Sequence, residues 1–231
     1  MNYRSQLVAA WLGIAATLIM FIGLWPLMHF LPPLKPGLGQ AELAAIYRGN
    51  ATGIITGGIL QMLACSIFML YFSALALQLK RMEAAPLWTY TLLLTSVLGF
   101  VPVLVAEMLF SAAAYRPDRP DEIIQAFSDL GFFLFVGPAL PGAMQMLSVA
   151  FAVLGDRNAE PVFPRWVGYF SVWTAVLALP GAVVTLFKAG PFAWNGVLAF
   201  WVAAIAFGLW INVTFWATRR ALLIQMKSSA A

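Results

Sequence analysis

Glu107 is the only charged residue in the apolar run 87–114. It lies about eight residues, or roughly 12 Å of helix, before the end of that run. A carboxylate so placed costs several kcal/mol unless it is paired, hydrated or neutralised. Two chemistries answer that cost. The carboxyl can carry a proton or accept a cationic or hydrogen-bonding ligand; alternatively, protonated or paired with Arg, it ties two helices together. Gln61 lies at a similar depth in the run 54–79, Asp129 stands at the start of the fourth run, and Arg48 and His29 belong to the same outer layer. Two carboxyls at short range titrate together, which suits proton coupling. Asp129 is equally explained as a helix-start residue answering the local dipole.

Proline is the second signal. Pro138 and Pro141, bracketed by Gly137 and Gly142, lie inside the fourth run, as Pro102 and Pro180 lie inside the third and fifth. Each removes one main-chain hydrogen bond, so the fourth helix is expected to bend or partly unwind near the membrane centre. Carbonyls freed there must face protein, water or a ligand, and broken helices form substrate sites in some transporters. A static kink explains the same residues. Gln145 in the fourth run and Asn212 in the sixth are further ligand candidates, or partners in interhelical amide bonds. The candidate ligand or proton residues are therefore Glu107, Gln61, Asp129, Arg48, Pro138, Pro141, Gln145 and Asn212, and none is assigned a catalytic role.

The rest of the inventory narrows the chemistry. One His (His29) and one Cys (Cys65) supply no ligand set for haem, di-iron, a thiolate cluster or a histidine-rich cage, so no metal and no cofactor is expected. Met144 and Met146 flank Gln145 on a helical run, where successive side chains diverge by about 100°, which argues against a copper site. No phosphate-loop, dinucleotide, zinc-protease or nucleophile-elbow signature occurs.

The elements that must hold these residues follow from composition. Of 231 residues, 62% are hydrophobic and 10% charged, against about 45–50% and about 25% in soluble domains. The mean hydropathy is +0.88. Too little polar surface remains to coat a water-soluble body, so the chain is read as an integral membrane protein. Only helices or closed barrels satisfy their backbone inside a bilayer, and long runs unbroken by charge select helices. Six such runs, 7–31, 54–79, 87–114, 127–154, 166–186 and 192–218, form one membrane domain over 1–231. The expected fold is all-α: a polytopic six-transmembrane-helix bundle with a kinked fourth helix and a short external amphipathic segment. That segment, 40–48, puts Leu43, Ile46 and Tyr47 on one face. A charged turn at 116–122 precedes the fourth run, and a helix there lies on the membrane, caps the bundle or extends that span.

Eight Lys and Arg fall on the side of the termini (Arg4, Lys80, Arg81, Arg157, Arg165, Arg219, Arg220 and Lys227) and five on the other (Lys35, Arg48, Arg116, Arg119 and Lys188). Glu83, Asp156 and Glu160 lie with the eight. The positive-inside rule places both termini in the cytoplasm. The formal charge of +4 thus reads as topology, with no nucleic-acid footprint.

The stretches Phe163-Pro164-Arg165-Trp166-Val167-Gly168-Tyr169 and Gly190-Pro191-Phe192-Ala193-Trp194-Asn195-Gly196, with Phe135-Val136-Gly137-Pro138 before them, resemble hallmarks of an uncharacterised family of bacterial six-span integral membrane proteins. The resemblance covers most of the carboxy-terminal half and implies a multi-pass protein of the bacterial inner membrane; it carries over no activity and no site residue. Three functions fit the residues. The leading one is binding or transport of a small lipophilic or weakly charged solute, proton-coupled through Glu107. An accessory or scaffold subunit of a larger membrane complex is second, and a membrane enzyme acting on a hydrophobic substrate third. The partners implied are the lipid bilayer, a hydrophobic small molecule, and a second copy or another membrane subunit.

Overall fold

In the computed structural model, which describes residues 3–82 and 86–228, every regular element is helical. Glu83, counted above with the charges of the terminal side, lies outside the described residues. Helix α1 (Tyr3–Ile22) runs into a π-helical turn, Gly23–Leu27. A short α2 (Gln40–Gly49) is followed by α3 (Ala51–Leu79) and α4 (Leu87–Tyr115), each of 29 residues. At about 1.5 Å per residue these two more than cross a hydrocarbon core of about 30 Å. Helices α5 (Asp121–Val136) and α6 (Ala139–Gly155) together make the fourth span. Helix α7 (Arg165–Ala178) tightens into the 3₁₀ segment Leu179–Leu186. A π-helical stretch, Val197–Val202, opens α8 (Ala203–Ser228). Six spans are thus long and apolar enough to cross a membrane.

The spans form a closed ring in which α1 packs on α3, α3 on α4, α4 on α6, α6 on α7, α7 on α8, and α8 again on α1. Two aromatic cores fill it. Phe68, Tyr71, Phe72 and Trp210 occupy the half nearer the termini. Phe30, Tyr47, Phe110, Phe132 and Trp194 occupy the distal half. There the Phe132 and Trp194 rings stack, 5.4 Å apart and 6° from parallel. Helix α2 lies against α5 and buries Leu43, Ala44 and Tyr47, so the amphipathic segment caps the distal core.

Three boundaries differ from the sequence reading, each for a local reason. The first span ends at Leu27 because Pro26 has no N–H to continue the ladder. Met28 N–H instead donates to Gly23 O at 3.0 Å, and His29 takes a left-handed φ of 58° that turns the chain out. The fourth span starts at Asp121, because the helix follows directly on Pro120. The sixth starts at Val197, after a tight turn, and continues to Ser228.

The fourth span is bent by 15°. The break falls at Gly137-Pro138, where Pro138 offers no N–H to the preceding turn and Ala139 N–H reaches only Gly137 O, at 2.7 Å. Pro141 adds no second break. It falls in the first turn of α6, whose N–H groups have no helical acceptor in any case. Gly181 of the 3₁₀ segment packs into the joint: a Cβ there would lie 3.0 Å from Ala139 Cβ, 3.1 Å from Val136 O and 3.6 Å from Ala199 O. The bent fourth span, the 3₁₀ segment of the fifth and the π-helical stretch of the sixth therefore meet at one point.

Candidate functional site

Glu107 is fully buried on α4, and neither carboxylate oxygen has a hydrogen-bond partner. It faces α3 at a position where that helix carries no side chain. A Cβ placed on Gly58 would lie 3.6 Å from Glu107 Oε2 and 3.0 Å from Ser111 Oγ. Ser111, one turn along α4, has a hydroxyl that is also buried and unpartnered. Its behaviour is unlike that of five other serines in the spans. Ser66, Ser73, Ser96, Ser148 and Ser171 each donate to the carbonyl four residues back, at 2.6–3.0 Å. Ser111 makes no such bond and lies towards α3 beside the carboxyl.

Gln61 follows Gly58 by three residues on the same helix and is fully buried. Its amide donates to Met20 O of α1 at 3.1 Å, while its Oε1 is unpartnered. Helices α3 and α4 run antiparallel, so stepping from Gly58 to Gln61 matches stepping back from Ser111 to Glu107, and Gln61 shares the carboxyl's depth. The approach of the first span to this layer depends on glycine. A Cβ on Gly23 would lie 3.0 Å from Gly57 O and 3.3 Å from Gln61 Nε2.

Above this layer the hydroxyl of buried Tyr47 donates to Ser128 Oγ at 3.0 Å. Burial raises the Tyr47 phenol well above its ordinary range; the Ser128 bond opposes that rise, and the charges of Glu107 and Asp129 add to it. Ser128 is buried on α5, whereas Asp129, one residue further round the helix, is half-buried. The two carboxyls considered from sequence differ in burial, Glu107 being fully buried and Asp129 half-buried.

The other candidates lie elsewhere. Arg48 is at the distal surface, where it donates to Pro117 O (2.8 Å), Arg119 O (2.8 Å) and Asp121 (2.6 Å), clamping α2 to the turn before α5. Gln145 donates to Ser96 Oγ at 2.6 Å and joins α6 to α4. Asn212 makes no interhelical bond. It is exposed on α8 and donates to Gly208 O of its own helix at 2.8 Å. Pro138 and Pro141 shape the joint described above. Ser111 and the Tyr47–Ser128 pair were missed by the sequence reading. The spacing of Ser111, four residues beyond Glu107, is the signal that would have found it.

Two surface depressions accompany these groups. An apolar crevice of about 140 Å³ opens on the outer face of the bundle between Cys65 and Met69 of α3 and Phe100, Val101 and Leu104 of α4. Leu104 is one turn from Glu107, and Cys65 one turn from Gln61. A second, shallower depression of about 400 Å³ lies at the distal surface between Lys35 and Lys188. No group of three or more His, Cys, Asp or Glu able to hold a metal ion occurs among the described residues. No protein-family model matches the chain, and no curated protein or solved structure matches it either.

Proposed function

We propose that this membrane protein binds or transports a small lipophilic or weakly charged solute, with Glu107 as the group that couples solute movement to an ion, the proton being the first candidate. The observation that carries this reading is a fully buried carboxyl with neither oxygen partnered, one turn from an apolar crevice on the bundle's outer face. A merely structural carboxyl would be expected to have a donor, because an unmatched buried polar group is costly. The crevice is smaller than the about 300–1,000 Å³ of ordinary ligand pockets, so it suits the end of a ligand whose remainder stays among lipid chains. The host is the bacterial inner membrane, with both termini cytoplasmic, as the Lys and Arg bias and the family resemblance propose.

The test is solute flux in liposomes under an imposed pH gradient, with solutes chosen by mass spectrometry of what co-purifies in native lipid. Glu107→Gln is expected to lower gradient-driven flux at least tenfold, and Leu104→Trp, which fills the crevice, to weaken solute binding. Undiminished flux in Glu107→Gln rejects coupling through this carboxyl.

A second reading rests on a different residue. Asn212 presents an amide on the outer face of α8, where lipid offers no hydrogen-bond partner. An amide is self-complementary, so a second copy or another membrane subunit could pair with it, as expected of an accessory component of a complex.

A further inference from the structure

At the depth of Glu107, α3 and α4 carry unpartnered buried oxygens. Glu107 Oε1 and Oε2, Gln61 Oε1 and Ser111 Oγ are buried and without partners. Three of the four can only accept when the carboxyl is ionised, and the fourth is a hydroxyl turned away from the carbonyl it would ordinarily use. A proton on the carboxyl would cancel its charge and supply one O–H donor, which can match only one of the other oxygens. A cation among them engages carboxylate, amide and hydroxyl oxygens at once. Hard oxygen donors of carboxylate, amide and hydroxyl type suit alkali and alkaline-earth ions. The single carboxylate then selects charge, since a monovalent ion leaves the site neutral and a divalent one leaves a net positive charge within the spans.

The surroundings fit the same occupant. Gly58 contributes no side chain to the space that faces Oε2 and Ser111 Oγ. The first span ends beside Gln61 in the π-helical turn Gly23–Leu27, and coupling ions in membrane transporters sit beside irregular helix backbone. We infer that Glu107, Ser111 and Gln61 form a binding site for a small, dehydrated monovalent cation between α3, α4 and the first span. This rests on the reading above only in taking Glu107 as the coupling group.

The experiment uses the full chain in lipid nanodiscs with no solute added. Sodium is titrated against choline at constant ionic strength while the unfolding temperature is followed. A saturable rise of several degrees in sodium is expected, and none in choline. Ser111→Ala removes an unmatched buried hydroxyl, so in choline the variant should unfold at the wild-type temperature or above, while its half-saturating sodium concentration rises at least fivefold. That opposition of signs separates loss of a ligand from loss of packing. Glu107→Gln should abolish the sodium response. Equal wild-type stability in sodium and choline overturns the site, including the case in which water alone occupies it. A larger shift with magnesium than with sodium, or a sodium response undiminished in both variants, also overturns it. Flux driven by a pH gradient and indifferent to sodium rejects this inference and leaves the proposed function standing. Sodium binding without any solute flux supports the site and rejects the transport reading.

Discussion

Two hydrogen-bonding habits separate the polar residues of the spans. Most hydroxyls bond back to their own helix, and Gln145 crosses to Ser96, so these groups are satisfied locally or between two neighbours. Tyr47 and Ser128 form a similar closed pair in the distal core. Tyr47→Phe leaves the Ser128 hydroxyl without its donor and is expected to cost about 1–2 kcal/mol. Ser128→Ala should cost a comparable amount, and the double variant less than the two together. Unfolding in denaturant of the single and double variants measures this, and strict additivity would show that the two hydroxyls do not interact. Glu107, Ser111 and the Gln61 carbonyl stand outside both habits, as do Thr218 and Gln225 towards the end of the sixth span; functional weight falls on the first group because it holds the carboxyl.

At the scale of elements, glycine sets how closely the first span approaches α3. The Gly53-to-Gly57 spacing resembles a helix-dimer face, but the structure uses it within the chain. Gly57 packs on Met28, and a Cβ there would lie 2.8 Å from Gly23 O. Backbone cannot yield as a flexible side chain can, so Gly57→Val should destabilise by about 1–3 kcal/mol, as other overpacked cores do. Gly142→Ala is the control, because nothing lies within 4 Å of its added methyl. Equal unfolding transitions for the two variants would refute the close approach. The same logic explains Gly181, where the 3₁₀ segment meets the bent fourth span without room for a side chain. Arg48 works at the opposite extreme, with three bonds at an exposed surface holding α2 over the distal core.

For the whole molecule, two expectations concern placement and association. With both termini cytoplasmic, a Lys227→Cys variant in a Cys65→Ala background should react with a membrane-impermeant thiol reagent only after the membrane is opened. Labelling of intact cells would reverse the orientation. Asn212 bears on association. Asn212→Leu removes the one outward amide of α8 that bonds only within its helix, and should shift the protein towards monomer in native-lipid mass spectrometry. An unchanged oligomer distribution would remove the basis for a contact through that face.

The six crossings were legible in the residues because burial of backbone in a bilayer demands long uninterrupted apolar runs, and that demand is local in sequence. The bend at Gly137-Pro138 was legible for the same reason, since a missing N–H acts where it occurs. Which polar groups meet was not legible, because depth along a span says nothing about rotation around the ring. Glu107 and Asp129 lie at similar depths yet only the first is fully buried, and Arg48 in that layer turns to a surface loop. Ser111 took on meaning only once α3 set Gly58 opposite it. Tertiary packing decided these pairings, because it alone fixes which face of each helix is turned towards which partner.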